Sequence, residues 1–247
     1  MYKFGTVFII TTCLFLCLMV NETDAELVGY WSFDQDDGVK DLSGNGHDGI
    51  IRGFPMFVDG KRGEALEFNG LNDYVAIPHD PAISDLEALS VAAWIQAKRH
   101  GTWVAVIEKG VHGNWSYGFF VEPDGTLSFE VSTGPNNNLI CCVGDVDLNI
   151  GEWYHIFGSY DGEFVRVYVN GKLEGAMKAS DSVHITDGLP LTIGSRNGQN
   201  HFTGIVDELA LWNDAISVNE AMRPFSVQPR NKLPTTWSMI KSRYRFD

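Results

Sequence analysis

Short alternations of apolar and polar residues run through the chain from about residue 27 to residue 212. YWSF, ALEF, YVAI, LSVAAWIQ, TWVAVIE, GFFVE, TLSFEVS, WYHIFGSY, FVRVYVNG, LPLTIG and IVDELALW are rich in β-branched and aromatic residues. They recur roughly every ten to fifteen residues with Gly, Asn, Asp and Pro between them, the period-two pattern of half-buried strands joined by turns. Asp124-Gly125, Asp161-Gly162 and Asn170-Gly171 each put a glycine where a tight hairpin needs a positive φ. They predict successive antiparallel meanders. One short helix is expected near the end, where Ser217 and Glu220 form a capping box and Pro224 stops the turn. The pattern therefore predicts an all-β antiparallel sandwich with one short C-terminal helix.

Alternation also assigns faces. In WYHIFGSY, Trp153, His155 and Phe157 share one face and Tyr154 and Ile156 the other, so His155 is expected as a packed, hydrogen-bonded histidine. In VDELALW, Val206, Glu208, Ala210 and Trp212 fall opposite Asp207, Leu209 and Leu211. Asp207 thus lands beside two leucines, where a carboxylate needs neutralising by a bound cation, backbone N–H groups or an arginine.

The flanks differ from this body. Residues 1–25 carry Lys3, an apolar run from Val7 to Val20 broken only by Thr11, Thr12 and Cys13, and then Thr23-Asp24-Ala25. The run is short and ends on small residues, so it reads as a secretory signal peptide cleaved before Glu26, with an uncleaved anchor as the alternative. The expected product is secreted or held at the cell surface, and no transmembrane span is expected in the mature chain. Residues 26–222 are long enough to form one sandwich domain with its own core. Residues 223–247 form a basic tail without turn-delimited alternation. It is expected to add to the sandwich, to contact an acidic surface or act as a sorting signal, or to remain an unfolded basic end.

Charge narrows the partners. From Glu26 to Met222 there are 29 acidic and 11 basic residues, a net of −18, whereas the tail carries a net of +5. So acidic a body repels nucleic-acid phosphates, and no nucleic-acid partner is expected. Two cysteines, Cys141 and Cys142, remain in the mature chain, and they are adjacent. Neighbouring cysteines rarely bridge each other. Both are expected as half-buried strand residues, with pairing to another chain or a soft metal as alternatives.

GYWSFD, DLSGNGHDG, GEALEFNGLNDYVAIP, LSVAAWIQ, GEWYHIFGSYDGEFVRVYVNGK, LTIGS and FTGIVDELALWNDAIS occur in that order. Together, over about Leu27 to Met222, they resemble the LamG-like jelly-roll domain of the concanavalin A-like sandwich superfamily. The resemblance implies a two-sheet antiparallel jelly-roll β-sandwich, with the fold held by these blocks and ligand preference set by loops. Enzymes sharing the sandwich cleave glycosidic bonds with carboxylates about 5 Å apart, displayed in an E-x-D-x-x-E strand. This chain has no such run, nor a G-x-S-x-G, H-E-x-x-H or Walker loop. A non-catalytic binding module is the expected function, with a glycan or an extracellular protein as partner. A glycoside hydrolase assembled from dispersed residues is the remaining alternative.

Sugar sites stack aromatic rings on the sugar and read hydroxyls with amides and carboxylates. The candidates are Trp103, His112, Asn114, Trp115 and Tyr117 in GTWVAVIEKGVHGNWSYGF, with Asn136, Asn137 and Asn138 in STGPNNNL. Trp103 alternates with Ala105 and Ile107 and has a core reading too; Trp115, in a Gly-bounded loop, is the better candidate for exposure. Asn114 also heads an N-glycosylation sequon, Asn-Trp-Ser.

DLSGNGHDG imitates a helix–loop–helix calcium loop, with Asp41, Ser43, Asn45 and Gly46 at its first, third, fifth and sixth positions. The twelfth would be Arg52 instead of a glutamate, and no helices flank it, so that reading fails. Asp41 and Asn45 are instead expected to fold back on backbone N–H groups as turn-forming side chains. The resemblance implies a structural calcium ion between the N-terminal segment and the last strand, for which Asp34 or Asp41 with Asp207 are the candidate ligands.

Overall fold

A computed structural model describes residues 25–223. The expected signal peptide and basic tail lie outside these residues, apart from Ala25 and Arg223. The strands in chain order are β1 (Leu27–Trp31), β2 (Ile50–Arg52), β3 (Met56–Asp59), β4 (Glu64–Asn69), β5 (Tyr74–Ile77), β6 (Leu89–Ala97), β7 (Val104–Val111) and β8 (Asn114–Val121). They continue as β9 (Thr126–Thr133), β10 (Asn138–Asp147), β11 (Trp153–Tyr160), β12 (Phe164–Val169), β13 (Lys172–Lys178), β14 (Leu191–Ile193) and β15 (Thr203–Trp212). One short helix, α1 (Val218–Ala221), follows, capped by the Ser217 hydroxyl accepting from Glu220 N–H.

Two antiparallel sheets result. One runs β13-β12-β11-β6-β15-β4-β3 with β1 also on β15, and the other runs β10-β9-β8-β7-β14-β5-β2. Every pairing between these strands is antiparallel, and the sheets close face to face on a single large core, the jelly-roll sandwich that the sequence predicts. The hairpins fall at the expected dipeptides, where Gly125, Gly162 and Gly171 all have positive φ. Trp31, Phe68, Phe119, Phe129, Ile156 and Val206 fill the space between the sheets. Gly158 lets the sheets approach, since a Cβ there would sit about 2.5 Å from the Phe129 ring. A smaller cluster of Tyr30, Ala92, Phe157, Ala210, Trp212, Ile216 and Ala221 packs α1 onto the outer face of the larger sheet. His155 lies on that outer face, buried edge-on against Trp94 and tied to the Ala221 backbone, and burial pushes its imidazole down to about 4. It is the packed histidine that alternation predicts.

Strand β15 departs from strict alternation. Asp207 pairs with Trp94 but Ala210 with Ala92, so a bulge intervenes, and Glu208 takes φ 53°. Val206, Leu209 and Leu211 all enter the inter-sheet core. Asp207 therefore does not share the leucines' face. It points outward beside Trp94, opposite Val206, and the bulge after it turns the leucines inward; Asp207 is nevertheless fully buried.

The DLSGNGHDG segment is a turn organised by Asp41. Its Oδ1 accepts from Tyr30 N–H at 3.0 Å and Ser43 N–H at 2.9 Å, and its Oδ2 from His47 N–H at 3.0 Å. These bonds outweigh the cost of burial and hold the carboxyl below its usual range. Asn45 donates to the Leu27 and Val28 carbonyls, pinning the turn to β1. Asp41→Ala strands three inward-facing N–H groups and is expected to cost about 3 kcal/mol or more in urea unfolding. Asp41→Asn, which keeps an acceptor, should cost clearly less.

Candidate functional site

The outer face of the seven-stranded sheet gathers the polar chemistry. Strand β7 carries bulges between Ala105 and Ile107 and between Lys109 and Gly110. The first brings Val106 and Ile107 both into the core and turns Glu108 outward, opposite Gly118 on β8. Gly118 in turn faces Glu130 on β9, so two carboxylates flank a strand position without a side chain. The Phe120 ring lies over that gap, since a Cβ on Gly118 would come within 2.9 Å of its Cζ. Trp103 stacks on Phe120 with centroids 4.5 Å apart, and its indole N–H donates to Glu122 Oε1 at 3.1 Å.

Arg196 completes this face. It opens the turn Arg196-Asn197-Gly198-Gln199, in which Asn197 and Gly198 both have positive φ and the Arg196 and Gln199 backbones exchange two hydrogen bonds. Only a turn of that mirror-image type closes so tightly, which is why Asn-Gly occupies it. The guanidinium lies 4.0 Å from the Trp103 ring centre, 5.0 Å from Trp115 and 5.3 Å from Phe120. Its Nε donates to Glu108 Oε1 at 2.9 Å, and Nη1 sits 3.3 Å from His112 Nδ1. A shallow recess of about 140 Å³ opens here between Val111, His112, Arg196, Asn197 and Gln199.

Burial governs the protonation of these groups. Glu108 is fully buried, and desolvation pushes its carboxyl up to about 7 against the opposing pull of Arg196. Glu130 is raised chiefly by burial, and Cys141 donates its thiol proton to it at 3.3 Å. Burial and the Glu130 charge push the Cys141 thiol up to about 12, so it serves as a plain donor; Cys142 is a core residue. Glu108 Oε2, Trp115 Nε1, Ser128 Oγ and Ser132 Oγ are buried without hydrogen-bond partners.

The structure brings most of the predicted sugar-binding residues to one end of this face. His112, Asn114 and Trp115 occupy the β7–β8 hairpin, with the His112 and Trp115 rings 5.8 Å apart. Asn137 reaches over from the β9–β10 hairpin to donate to Gly113 O at 2.9 Å, and His184 Nε2 lies 2.9 Å from Asn114 Oδ1. Asn136 and Asn138 are exposed beside them. Tyr117 is a correction. It is fully buried, points into the inter-sheet core and donates to Ile83 O, so it faces away from any surface ligand.

The candidate cation ligands separate. Asp41 is engaged by three backbone N–H groups of its own turn, away from the 60–64 loop. Asp34 Oδ1 accepts from Glu64 N–H at 2.8 Å, and Asp207 Oδ2 accepts from Arg62 N–H at 3.0 Å, so both address the 60–64 loop. Asp207 Oδ1 has no partner, and burial pushes this carboxyl up to about 7. Glu208, beside it, is held by Arg62 Nη1 at 3.1 Å and the Tyr30 hydroxyl at 2.9 Å. Among the described residues no three His, Cys, Asp or Glu side chains group closely enough to hold a metal, so any cation at Asp207 would rely on backbone oxygens as well.

A family model described as the concanavalin A-like lectin/glucanases superfamily matches residues 68–222. The chain belongs to this superfamily. Among solved structures similar to it, Domain 4 of AbnA, a GH43 extracellular arabinanase from Geobacillus stearothermophilus in complex with arabinotriose, has a TM-score of 0.62 at 23% identity, with 80% of this chain and 97% of that one covered. The binding domain of Paraclostridial Mosquitocidal Protein 1 has a TM-score of 0.66 at 18% identity, covering 79% and 51%. The binding domain of Botulinum Neurotoxin DC in complex with SialylT has a TM-score of 0.64 at 12% identity, covering 79% and 49%. The chain thus spans about half the length of these two toxin domains, and at such identities the likeness shows the fold alone. A search of curated protein sequences finds no match.

Sequence reasoning missed Glu108, Phe120, Glu122, Glu130, His184 and Arg196. The bulge in β7 hides Glu108, which strict alternation places with the core residues Val104 and Val106. The Asn-Gly pair after Arg196 is the one local signal that marked a tight turn there. The Glu108–Arg196 pair is nearly solvent-free, with side chains 0% and 12% exposed. Arg196→Met alone is therefore expected to cost about 3 kcal/mol by leaving a buried carboxylate unpaired. Arg196→Met with Glu108→Gln should recover most of that loss, and a double-mutant cycle by urea titration measures the coupling.

Proposed function

We propose that this domain is a non-catalytic, secreted glycan-binding module whose ligand lies along Trp103, Arg196 and Trp115 on the outer face of the seven-stranded sheet. The observation that carries the reading is the partly exposed pair Trp103 and Trp115 with the largely buried Arg196 guanidinium between them, beside two buried polar atoms that have no partner among the described residues, Trp115 Nε1 and Glu108 Oε2. Flat rings stack on the apolar face of a sugar, and nearby donors and acceptors read its hydroxyls. Arg196 and His112 line the recess, and Asn114, Asn136 and Asn137 lie on the neighbouring hairpins. The three carboxylates of this face are already engaged, Glu108 by Arg196, Glu130 by Cys141 and Glu122 by the Trp103 indole, which favours binding over glycosidic cleavage. One structural neighbour is in complex with arabinotriose and another with SialylT, and both are consistent with a sugar ligand. Trp115→Ala is expected to weaken binding about ten- to a hundredfold on a glycan array followed by calorimetry, with thermal stability nearly retained. Unchanged binding in that variant would remove the ligand from this face.

A protein partner is the second reading. It rests on a different place, the edge formed by β2, β3 and the 70–73 turn, where Phe54, Leu71 and Met56 are 89%, 75% and 60% exposed. A silent glycan array together with capture of a protein through that edge would favour it.

A structural calcium ion would sit at Asp207, with Asp34 as the second carboxylate and the 60–64 loop beside both. The partnerless Asp207 Oδ1 fits such an ion, whose charge would hold both carboxyls ionised. Without it, Asp207 keeps its proton more tightly folded, at about 7, than unfolded. The native state then binds more protons between about pH 4 and 7, so stability falls as pH rises through that window. In chelator, the melting temperature is expected to drop from pH 5 to pH 8. Added calcium should raise it at pH 8 and flatten the profile, and Asp207→Asn should abolish both effects. Equal profiles with and without calcium would dismiss the ion.

A further inference from the structure

The charges around Arg196 do not suit an acidic sugar. The guanidinium is a single positive charge, and it interacts with Glu108 and Glu130, while Glu122 adds its own negative charge beside Glu130. Arg196 is also fixed. Its backbone is closed in a two-residue turn, its Nε is bonded to Glu108, and its plane rests on Trp103. A carboxylate, sulfate or phosphate on a ligand would need to draw this guanidinium away from a buried partner that has no other cation. The cost of leaving Glu108 unpaired opposes that exchange. A hydroxyl makes no such demand, because it accepts from an outward guanidinium N–H without displacing the ion pair.

Resting on the glycan-binding reading above, we infer that the face selects uncharged sugars and rejects anionic ones, with Arg196 as a neutralised hydroxyl donor and Glu108, Glu122 and Glu130 as the rejecting charges. With Glu108 protonated part of the time near neutral pH, Glu122 and Glu130 still leave the face net negative. The acidic body, at −18 between Glu26 and Met222, extends the same field beyond contact distance. Specificity of this kind comes from a repulsive element as much as from attraction.

The test uses matched pairs on a glycan array and in calorimetry, each pair a neutral oligosaccharide and the same backbone bearing a sialic or uronic acid. Wherever a pair binds, the neutral member should be preferred by about tenfold or more at low salt, and the gap should narrow as salt screens the repulsion. Glu122→Gln keeps an acceptor for the Trp103 indole and removes one charge. It should shift the acidic-to-neutral affinity ratio toward the acidic member by about threefold. Equal or tighter binding of the acidic members, or a ratio unmoved by salt and by Glu122→Gln, overturns the charge selection while leaving glycan binding intact. Silence toward both members of every pair overturns the glycan reading, and this inference with it.

Discussion

Strand β15 has three partners and two edges. Along one edge it pairs with β6 throughout; along the other, Thr203–Val206 pair with β4 and Leu209–Trp212 with β1. Neither β4 nor β1 can cover the changeover, so backbone groups there need other company. The bulge at Asp207-Glu208 meets that need. It throws two carboxylates into the seam, one accepting from the Arg62 N–H, the other bridging the Arg62 guanidinium and the Tyr30 hydroxyl. The 60–64 loop, the N-terminal strand and the last strand are thereby joined at one point. Pairing in the centre of the larger sheet, and the placement of α1 over its outer face, depend on that seam.

The second sheet solves a related problem on its outer face. A sheet packed on one side only would expose its other face to water, and here that face buries Glu108, Ser128, Glu130 and Ser132. Buried carboxylates are costly unless paired. Arg196 supplies the charge, and Trp103, Phe120 and Trp115 hold its guanidinium flat, an arrangement in which cation–ring attraction adds about 0.5–2 kcal/mol per contact. The cover is thin, because the two tryptophans are only partly buried and the Arg196 side chain keeps 12% exposure. A binding surface built this way is rigid before any ligand arrives, which limits the ordering cost of association.

Alternation made the sandwich legible. The strand runs, the three Gly-containing hairpins and the Ser217 cap all appear where the pattern predicts, because each depends on residues close in sequence. The site was legible only in part. His112, Asn114, Trp115 and Asn137 share a surface because their hairpins lie side by side, and loop composition marked them. Tyr117 was misread because its neighbours are loop-like while it already belongs to β8 and points inward. Asp207 was grouped with Leu209 and Leu211 because a bulge lies between them and one extra residue reverses every side chain beyond it, and alternation meets the same difficulty at Glu108, beyond the bulge in β7. Arg196 is 88 residues from Glu108, and nothing local to either names the other.

Glu108 and Asp207 also share a feature of construction. Both carboxylates that burial drives up to about 7 sit at bulges, Glu108 in β7 and Asp207 in β15. A regular strand alternates between core and outer face, and Glu130 on β9 is buried on the outer face without a bulge. A bulge adds to such positions by bending the strand and re-aiming its side chains. Asp41 marks the contrast, since it lies in a turn, takes three backbone N–H groups and is held below its usual range. A carboxylate satisfied by its own backbone is finished as a structural part. Among the described residues the bulge carboxylates each keep an oxygen without a partner, so unlike Asp41 they are not satisfied by their own backbone.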